Sequence, residues 1–309
     1  MGQLSKELQN RLKARLGEQI KFSYPIAKHT YFRAGGKAEA FVQAKALDDL
    51  AWLLKLCKEE GIKVTFLGQG ANCLVSDQGV AGITISLVPG LSKVSVINDR
   101  LIVQAGASLA RVAAIAAKHS LSGLEQLCGI PGTVGGTVRM NAGAYEKETS
   151  ELISKVTFLN SAGELKTLCN SELQFSYRHS LFSEQTDWLI VEAEYQLQKV
   201  ATKQQEVIYR TMAEVQFLRR SKQPLEYASG GSAFKRPPGY FAGKLITDAG
   251  LKGYRLGNAG VSDKHAGFII NYGGATATEI RQVFEHVRVE VKKQFNVLLE
   301  PEVRFIGEW

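Results

Sequence analysis

Apolar positions along the chain keep two rhythms, one returning every third or fourth residue and one at every second. "SKELQNRLKARL", "LDDLAWLLKLCKEEG" and "SLARVAAIAAKHS" carry the helical spacing, and the second of these is expected to stop at Gly61 as a C-cap. "IKVTFLG" predicts a strand directly afterwards, so residues 46 to 68 read as one helix-strand step. "KVTFLNSAGELKTLC" predicts a hairpin turning around Ser161 to Glu164. In "LIVEAEYQL", Leu189, Val191, Ala193, Tyr195 and Leu197 alternate with Ile190, Glu192, Glu194 and Gln196, the mark of a half-buried strand. Past residue 200 the pattern shifts. "ATKQQEVIYRTMAEVQFLRRSKQ" predicts a long helix with a basic end, leading into a loop with Pro224, Pro237 and Pro238. "ATEIRQVFEHVRVEVKKQF" predicts another helix, and "VLLEPEVRFIG" a final strand. The class is α+β, a mixed sheet region followed by a smaller mixed domain.

Glycine interrupts these rhythms in three places: "FRAGG" (32 to 36), "LGQGANCLVSDQG" (67 to 79) and "GIPGTVGGTVRMNAGA" (129 to 144). The third holds five glycines and one charged side chain, and reads as too broken for a helix and too small-sided for a core strand. Such a cluster is expected where the chain needs positive φ or where something approaches the main chain closely. In the second, the amides of Gly70, Ala71 and Asn72 follow a predicted strand and form a candidate nest for phosphate oxygens, with a tight turn as the plain alternative. No segment carries G-x-G-x-x-G into a helix, and no Walker lysine follows any loop.

Composition narrows the partners. With 309 residues, 45% of them hydrophobic, the chain is expected to form two or more domains. Its 38 Lys and Arg against 30 Asp and Glu give a net charge of +8, which suits nucleic acid, acidic lipid, or a small phosphate- and carboxylate-bearing molecule. "FLRRSK" is short and lacks a flanking aromatic array, so nucleic acid is not expected. Cys57, Cys73, Cys128 and Cys169 form no CxxC pair and read as buried thiols, and the five histidines have no ligand spacing, so no metal is expected. No apolar run approaches the ~18 residues of a membrane span. "MGQLSKELQN" has no apolar leader core, and Lys6 breaks a myristoylation signal. A soluble protein of a reducing compartment, with no membrane partner, is expected.

"RAGG", "GQGANCLVSD" and "GIPGTVGGTVRMNAGAY", in that order, followed by "SYRHSLF", "RRSKQPLEYASGGSAFKRP", "GLKGYRLGNAGVSDKHAGFIIN" and "LEPEVRFIG", resemble the UDP-N-acetylenolpyruvoylglucosamine reductase (MurB) family, of the type lacking an extra tyrosine loop. The resemblance runs from roughly residue 22 to 307. It implies a two-subdomain FAD-binding fold of the vanillyl-alcohol-oxidase/PCMH type at 18–88 and 89–200, then a smaller α+β substrate-binding domain at 201–309 that carries Glu302 on its last strand. It further implies a cytoplasmic monomer that uses FAD and NADPH to reduce UDP-N-acetylglucosamine enolpyruvate to UDP-N-acetylmuramate for peptidoglycan. On this reading Arg33, Gly35, Gly36, Gly68, Gly70, Ala71, Asn72, Gly132, Thr133, Gly135, Gly136, Asn141, Ala142 and Gly143 hold FAD. Tyr177, Arg219, Arg220, Lys222, Lys235 and Lys244 hold the substrate.

Adding hydride to a vinyl ether that bears a carboxylate requires a cation over the carboxylate, a proton donor at the developing carbanion, and a polar group completing the relay. The resemblance assigns these roles to Arg178, Ser232 and Glu302. A lone serine hydroxyl is a weak acid, so a neighbouring group must stabilise its alkoxide; Lys235, Arg178 and Lys244 are the candidates. Glu300 shares a strand face with Glu302, so periodicity does not separate them. Three positions depart from the family's usual pattern: Ala71 in place of serine, Glu146 where glycine is common, and Arg236 where asparagine is frequent. A flavin oxidase acting on another substrate and a non-catalytic basic binding protein are the rival readings.

Overall fold

Helix Lys6–Leu16 starts where the Ser5 hydroxyl accepts the Leu8 N–H at 3.2 Å, and it buries Leu12 and Leu16. The computed structural model describes residues 4–309. The other expected helices lie at Leu47–Glu59, Leu109–Lys118, Thr202–Lys222 and Ala277–Phe295. Gly61 sits one residue beyond the Glu60 C-cap at φ 64°, the left-handed position that ends the second helix.

Two units make up the chain. The first comprises Met1–Phe22, Ala40–Gln69 and Gly82–Leu218; the second comprises Ser23–Glu39, Gly70–Ala81 and Arg219–Trp309. In the first unit a five-stranded antiparallel sheet runs in the order Leu165–Cys169, Ile153–Leu159, Leu189–Gln196, Arg100–Gln104, Val94–Ile97. The expected hairpin is its edge, closing at Leu159 opposite Leu165. Along Leu189–Gln196 the alternation holds from Val191 onward, while Ile190 is buried as well, so the strand begins covered on both faces. Elsewhere in this unit Val64–Leu67 pairs in parallel with residues 83–86.

The second unit has its own core, in which helix Ala277–Phe295 buries Ile280, Val283, Phe284, Val287 and Val291 at helical spacing. Its start is capped twice. Thr276 and Glu279 form a capping box, and the Asp77 carboxylate accepts the Ala277 and Thr278 N–H groups at 2.9 and 2.8 Å and the Thr278 hydroxyl at 2.7 Å. A four-stranded antiparallel sheet follows the order Ala228–Ser232, Phe268–Asn271, Ala259–Val261, Arg255–Leu256.

Several expectations need correction. The glycine stretch is not too broken for a helix: Val134–Arg139 forms one, because the Thr133 hydroxyl accepts the Gly136 N–H and anchors its first turn. The final strand is shorter than expected, Arg304–Ile306 alone, pairing in parallel with Cys73–Val75. Pro301 has no N–H for a ladder, and the preceding segment makes only an isolated bridge, Phe234 to Pro301. Cys57, Cys73 and Cys128 are buried, and burial pushes the thiols of Cys57 and Cys73 up to about 12. Cys169 is exposed, since it ends the edge strand of its sheet.

Candidate active site

In the first unit the loop before the short helix is pinned on both sides. Leu109 donates its N–H to the Gly132 carbonyl at 3.0 Å, while Val134 and Gly135 donate theirs to Ala107 and Ala105 at 2.9 Å. Val134, Thr137 and Val138 face inward, leaving Gly136 on the exposed side. A Cβ at Gly132 would meet no protein atom within 4 Å, and one at Gly136 only the Thr133 hydroxyl at 3.4 Å. Gly135 is different: its Cβ would press on Ala105 at 3.0 Å. At Gly68 a Cβ would fall 2.6 Å from the Thr133 hydroxyl. Gly132 and Gly136 therefore present bare backbone outward, whereas a side chain at Gly68 or Gly135 would press on the protein's own Thr133 or Ala105.

Arg178 belongs to the same unit. Ser176 and His179 exchange N–H···O bonds around the turn Tyr177-Arg178, with Arg178 at φ 56°. Its guanidinium donates to the Gly143 carbonyl at 3.1 Å, lies 4.0 Å from the Glu148 carboxylate and 4.9 Å from the Tyr177 ring centre, and its side chain is only 17% exposed. Tyr177 itself is exposed. Asn141, expected at the cofactor, is fully buried with both ends of its amide engaged. Its Nδ2 donates to Glu148 at 2.8 Å and to the Ser176 carbonyl at 3.0 Å, and its Oδ1 accepts the Ser150 N–H at 2.9 Å. Ala142 is buried, and a Cβ at Gly143 would meet the Lys147 carbonyl at 2.7 Å. Glu148 escaped the sequence reading because nothing in "YEKETS" separates it from a solvated charge.

In the second unit the remaining glycine loops are tied to each other. A Cβ at Gly35 would lie 2.7 Å from the Val75 carbonyl, at Gly36 2.3 Å from that of Asp77, and at Gly70 2.0 Å from that of His29. What approaches these glycines is neighbouring chain. Arg33 is exposed at φ 54°, and Ala71 is partly buried. The Asn72 amide donates to the Glu302 carbonyl.

Ser232 and Glu302 are brought close by backbone. Ser232 ends its strand, exposed, beyond a bulge between Ser229 and Ser232 that spans Gly230 and Gly231. The next residue, Ala233, accepts the Glu302 N–H at 2.9 Å, and Lys235 donates its N–H to the Glu300 carbonyl, also at 2.9 Å. The Lys235 ammonium pairs with the Glu300 carboxylate. The two glutamates are thereby distinguished: Glu300 is held by Lys235 and its side chain is 68% exposed, whereas Glu302 is half-buried beside the Ser232 strand.

Of the other cations in this unit, Arg219 donates to the Gln223 side chain at 3.2 Å, and Lys244 pairs with Asp248 along its own short helix at 2.7 Å. The Arg220 carbonyl accepts from Lys264 at 2.9 Å. Burial, followed by the charges of Lys222 and Lys252, pushes His265 below the ordinary imidazole range. Its Nδ1 accepts the Gly267 N–H at 3.0 Å, so the ring proton of the neutral form sits on Nε2. Gly267 in turn accepts the Ala233 N–H, which places this basic segment next to Ser232. No group of three or more metal-ligating side chains occurs among the described residues, and no helix among them is long and apolar enough to cross a membrane.

Residues 223–306 match the family model of the UDP-N-acetylenolpyruvoylglucosamine reductase C-terminal domain, and residues 38–168 that of an FAD binding domain. A UDP-N-acetylenolpyruvoylglucosamine reductase of Listeria innocua is 44% identical over 289 residues, covering 94% of this chain and 95% of that protein. One from Caldanaerobacter subterraneus is 42% identical over 302 residues, covering 97% and 98%. The crystal structure of UDP-N-acetylenolpyruvylglucosamine reductase (MurB) from Thermus caldophilus superposes with a TM-score of 0.76 at 32% identity, covering 92% of this chain and 97% of that one.

Proposed function

The chain belongs to the UDP-N-acetylenolpyruvoylglucosamine reductase family, and we propose that Arg178, Ser232 and Glu302 carry its chemistry. It is an FAD-dependent oxidoreductase that reduces the enolpyruvyl ether of UDP-N-acetylglucosamine in peptidoglycan precursor synthesis, with NADPH as reductant. On this reading it works in the cytoplasm as a monomer.

The residues present fit FAD. Gly132 and Gly136 offer open backbone on which a Cβ would meet no protein main chain, and the pinned loop keeps that surface in place. Gly132, Thr133 and Gly136 would lie along the cofactor. When bound, FAD supplies the hydride chemistry that no side chain can perform.

The protein's own residues bind, orient and protonate. Arg178 holds the substrate carboxylate, because a permanently charged guanidinium matches two carboxylate oxygens with parallel donors and stabilises charge that builds as hydride arrives. The Ser232 hydroxyl delivers a proton to the carbon next to the carboxylate. Glu302 completes the polar environment around the developing charge. Arg219, Arg220 and Lys222, with Lys235 and Lys244, form the field that draws in the diphosphate, and Tyr177 offers an exposed ring to the sugar nucleotide.

One observation carries this reading most directly: the backbone pairing that sets the Ser232 strand against the Glu302 segment. The test is the visible absorption spectrum of the purified holoenzyme. Anaerobic NADPH should bleach the flavin band, and the enolpyruvyl sugar nucleotide should restore it. A spectrum that NADPH bleaches and only oxygen restores would point to an oxidase instead.

A further inference from the structure

Glu148 stands beside Arg178 in an arrangement that the roles assigned so far leave unused. Lys147 and Glu148 pair with Ala144 and Gly143 in a two-residue ladder, with Glu148 directly opposite Gly143. Both cross-strand partners reach the same guanidinium. Gly143 accepts from Arg178 through its carbonyl at 3.1 Å, and Glu148 lies 4.0 Å away through Oε1. The second carboxylate oxygen, Oε2, accepts from Asn141 at 2.8 Å. Asn141 is fully buried, and it also fastens the Ser176 carbonyl, two residues before Arg178, at 3.0 Å. One buried amide thus fixes both the carboxylate and the turn that carries the arginine.

At 4.0 Å the Glu148–Arg178 contact is a charge pair outside hydrogen-bond range. Its attraction acts on the guanidinium alongside the hydrogen bond that Gly143 accepts. The Tyr177 ring flanks the group. Arg178 and Asn141 both hold left-handed backbone, at φ 56° and 43°, and the main-chain bonds between Ser176 and His179 close the turn that carries Arg178.

We propose that Glu148, held by Asn141, is a positioning residue that sets Arg178 at the angle needed to meet the substrate carboxylate. The inference rests on the assignment of Arg178 to that carboxylate. Glu148 acts through Arg178 and touches neither substrate nor cofactor. Its removal affects the step in which the carboxylate gains charge and spares the earlier reduction of the flavin.

The experiment is a double-mutant cycle read in the two half-reactions of the holoenzyme by stopped-flow flavin absorbance. Glu148→Gln should slow reoxidation by the enolpyruvyl sugar nucleotide by about 10-fold and leave reduction by NADPH unchanged; in an Arg178→Ala background the same change should have under about 2-fold effect, since coupled residues do not add. Glu148→Asp, which keeps the charge but shortens the reach, should fall between, and it replaces Glu148→Gln in the cycle if that variant does not fold. Additive effects in the two backgrounds would overturn the positioning role while leaving Arg178 in place. Equal slowing of both half-reactions, or no slowing, would also overturn it. An Arg178→Ala enzyme that reoxidises at the parent rate would remove the carboxylate assignment and this inference with it.

Discussion

The side-chain amide of Asn72 donates a hydrogen bond to the main-chain carbonyl of Glu302 at 3.0 Å, and the Asn72 carbonyl accepts the Arg304 N–H at 3.1 Å. The two bonds flank Val303 and so hold the chain on the C-terminal side of the glutamate. Asn72→Ala should cost about 1 kcal/mol of stability, the usual worth of one such bond, and loosen the Glu302 segment. Denaturant unfolding reads the first effect. The second should appear as slower flavin reoxidation by substrate with unchanged reduction by NADPH. A variant that instead loses its flavin would place Asn72 at the cofactor.

Gly136→Val and Gly135→Val should fail in different ways. The first adds a branched side chain to an open face, so the protein should fold and purify with little flavin. The second drives a side chain into Ala105, where a Cβ alone would sit at 3.0 Å, so it should be destabilised by about 1–3 kcal/mol as overpacked sites are. Thermal melts and the ratio of flavin to protein absorbance distinguish the outcomes. Full flavin occupancy in Gly136→Val would remove that face from the cofactor site.

Ser232→Ala separates proton delivery from hydride supply. Flavin reduction by NADPH should proceed near the parent rate, while reoxidation by the enolpyruvyl substrate slows at least ~100-fold, the lower range for losing a positioned general acid. Ser232→Cys should lose less, because a thiol still donates a proton. Slowing of both half-reactions to the same degree would make Ser232 a structural residue.

Tyr145 and Glu146 hold the turn of the Gly143–Glu148 hairpin at φ 52° and 64°, both left-handed without glycine. A non-glycine residue there costs about 1–2 kcal/mol, and glycine returns about 0.5–1 of that as extra freedom of the unfolded chain. Glu146→Gly should therefore stabilise the protein by roughly 0.5 kcal/mol. A lower denaturation midpoint for this variant would mean that the glutamate makes compensating contacts.

Asp77 gives stability a predictable slope in acid. Partial burial pushes its carboxyl up, but the Thr278 hydroxyl and the Ala277 and Thr278 N–H groups outweigh this and hold it below its ordinary value of 3.8. A depressed folded-state value means that the contribution is present above the unfolded value and is lost as pH falls through the folded one. The stability gap between the parent and Asp77→Asn should be constant near neutrality and shrink below about pH 4. A gap that widens on acidification would contradict the assignment.

The long elements were legible because their apolar periods run uninterrupted, as in Leu47–Glu59 and Ala277–Phe295. The helix Val134–Arg139 was not, because its start depends on one Thr133 hydrogen bond that no period records. Gly35, Gly36 and Gly70 read as bare backbone kept for a ligand, yet a Cβ at each would run into the main chain of a neighbouring segment, at Val75, Asp77 and His29. One composition serves both purposes, and only three-dimensional proximity tells them apart. Glu300 and Glu302 share a period, and the partner that separates them, Lys235, lies 65 residues away. Glu148 was invisible for the same reason: its meaning comes from Asn141 and Arg178, which the fold brings to it.

The second unit is assembled from two short early segments and a late one, and the strand pair Cys73–Val75 with Arg304–Ile306 joins its extremes. During translation the early segments leave the ribosome with only each other to pair with, before the helix Ala277–Phe295 and the last strand exist. At about 5–20 residues per second they must wait roughly ten seconds or more for residues 219–309, and during that interval Leu74 and Phe32, both buried in the finished core, remain uncovered. Synthesis of this enzyme therefore passes through a nascent state that chaperones have reason to recognise, and truncation before the last strand should leave a chain that the quality-control proteases clear.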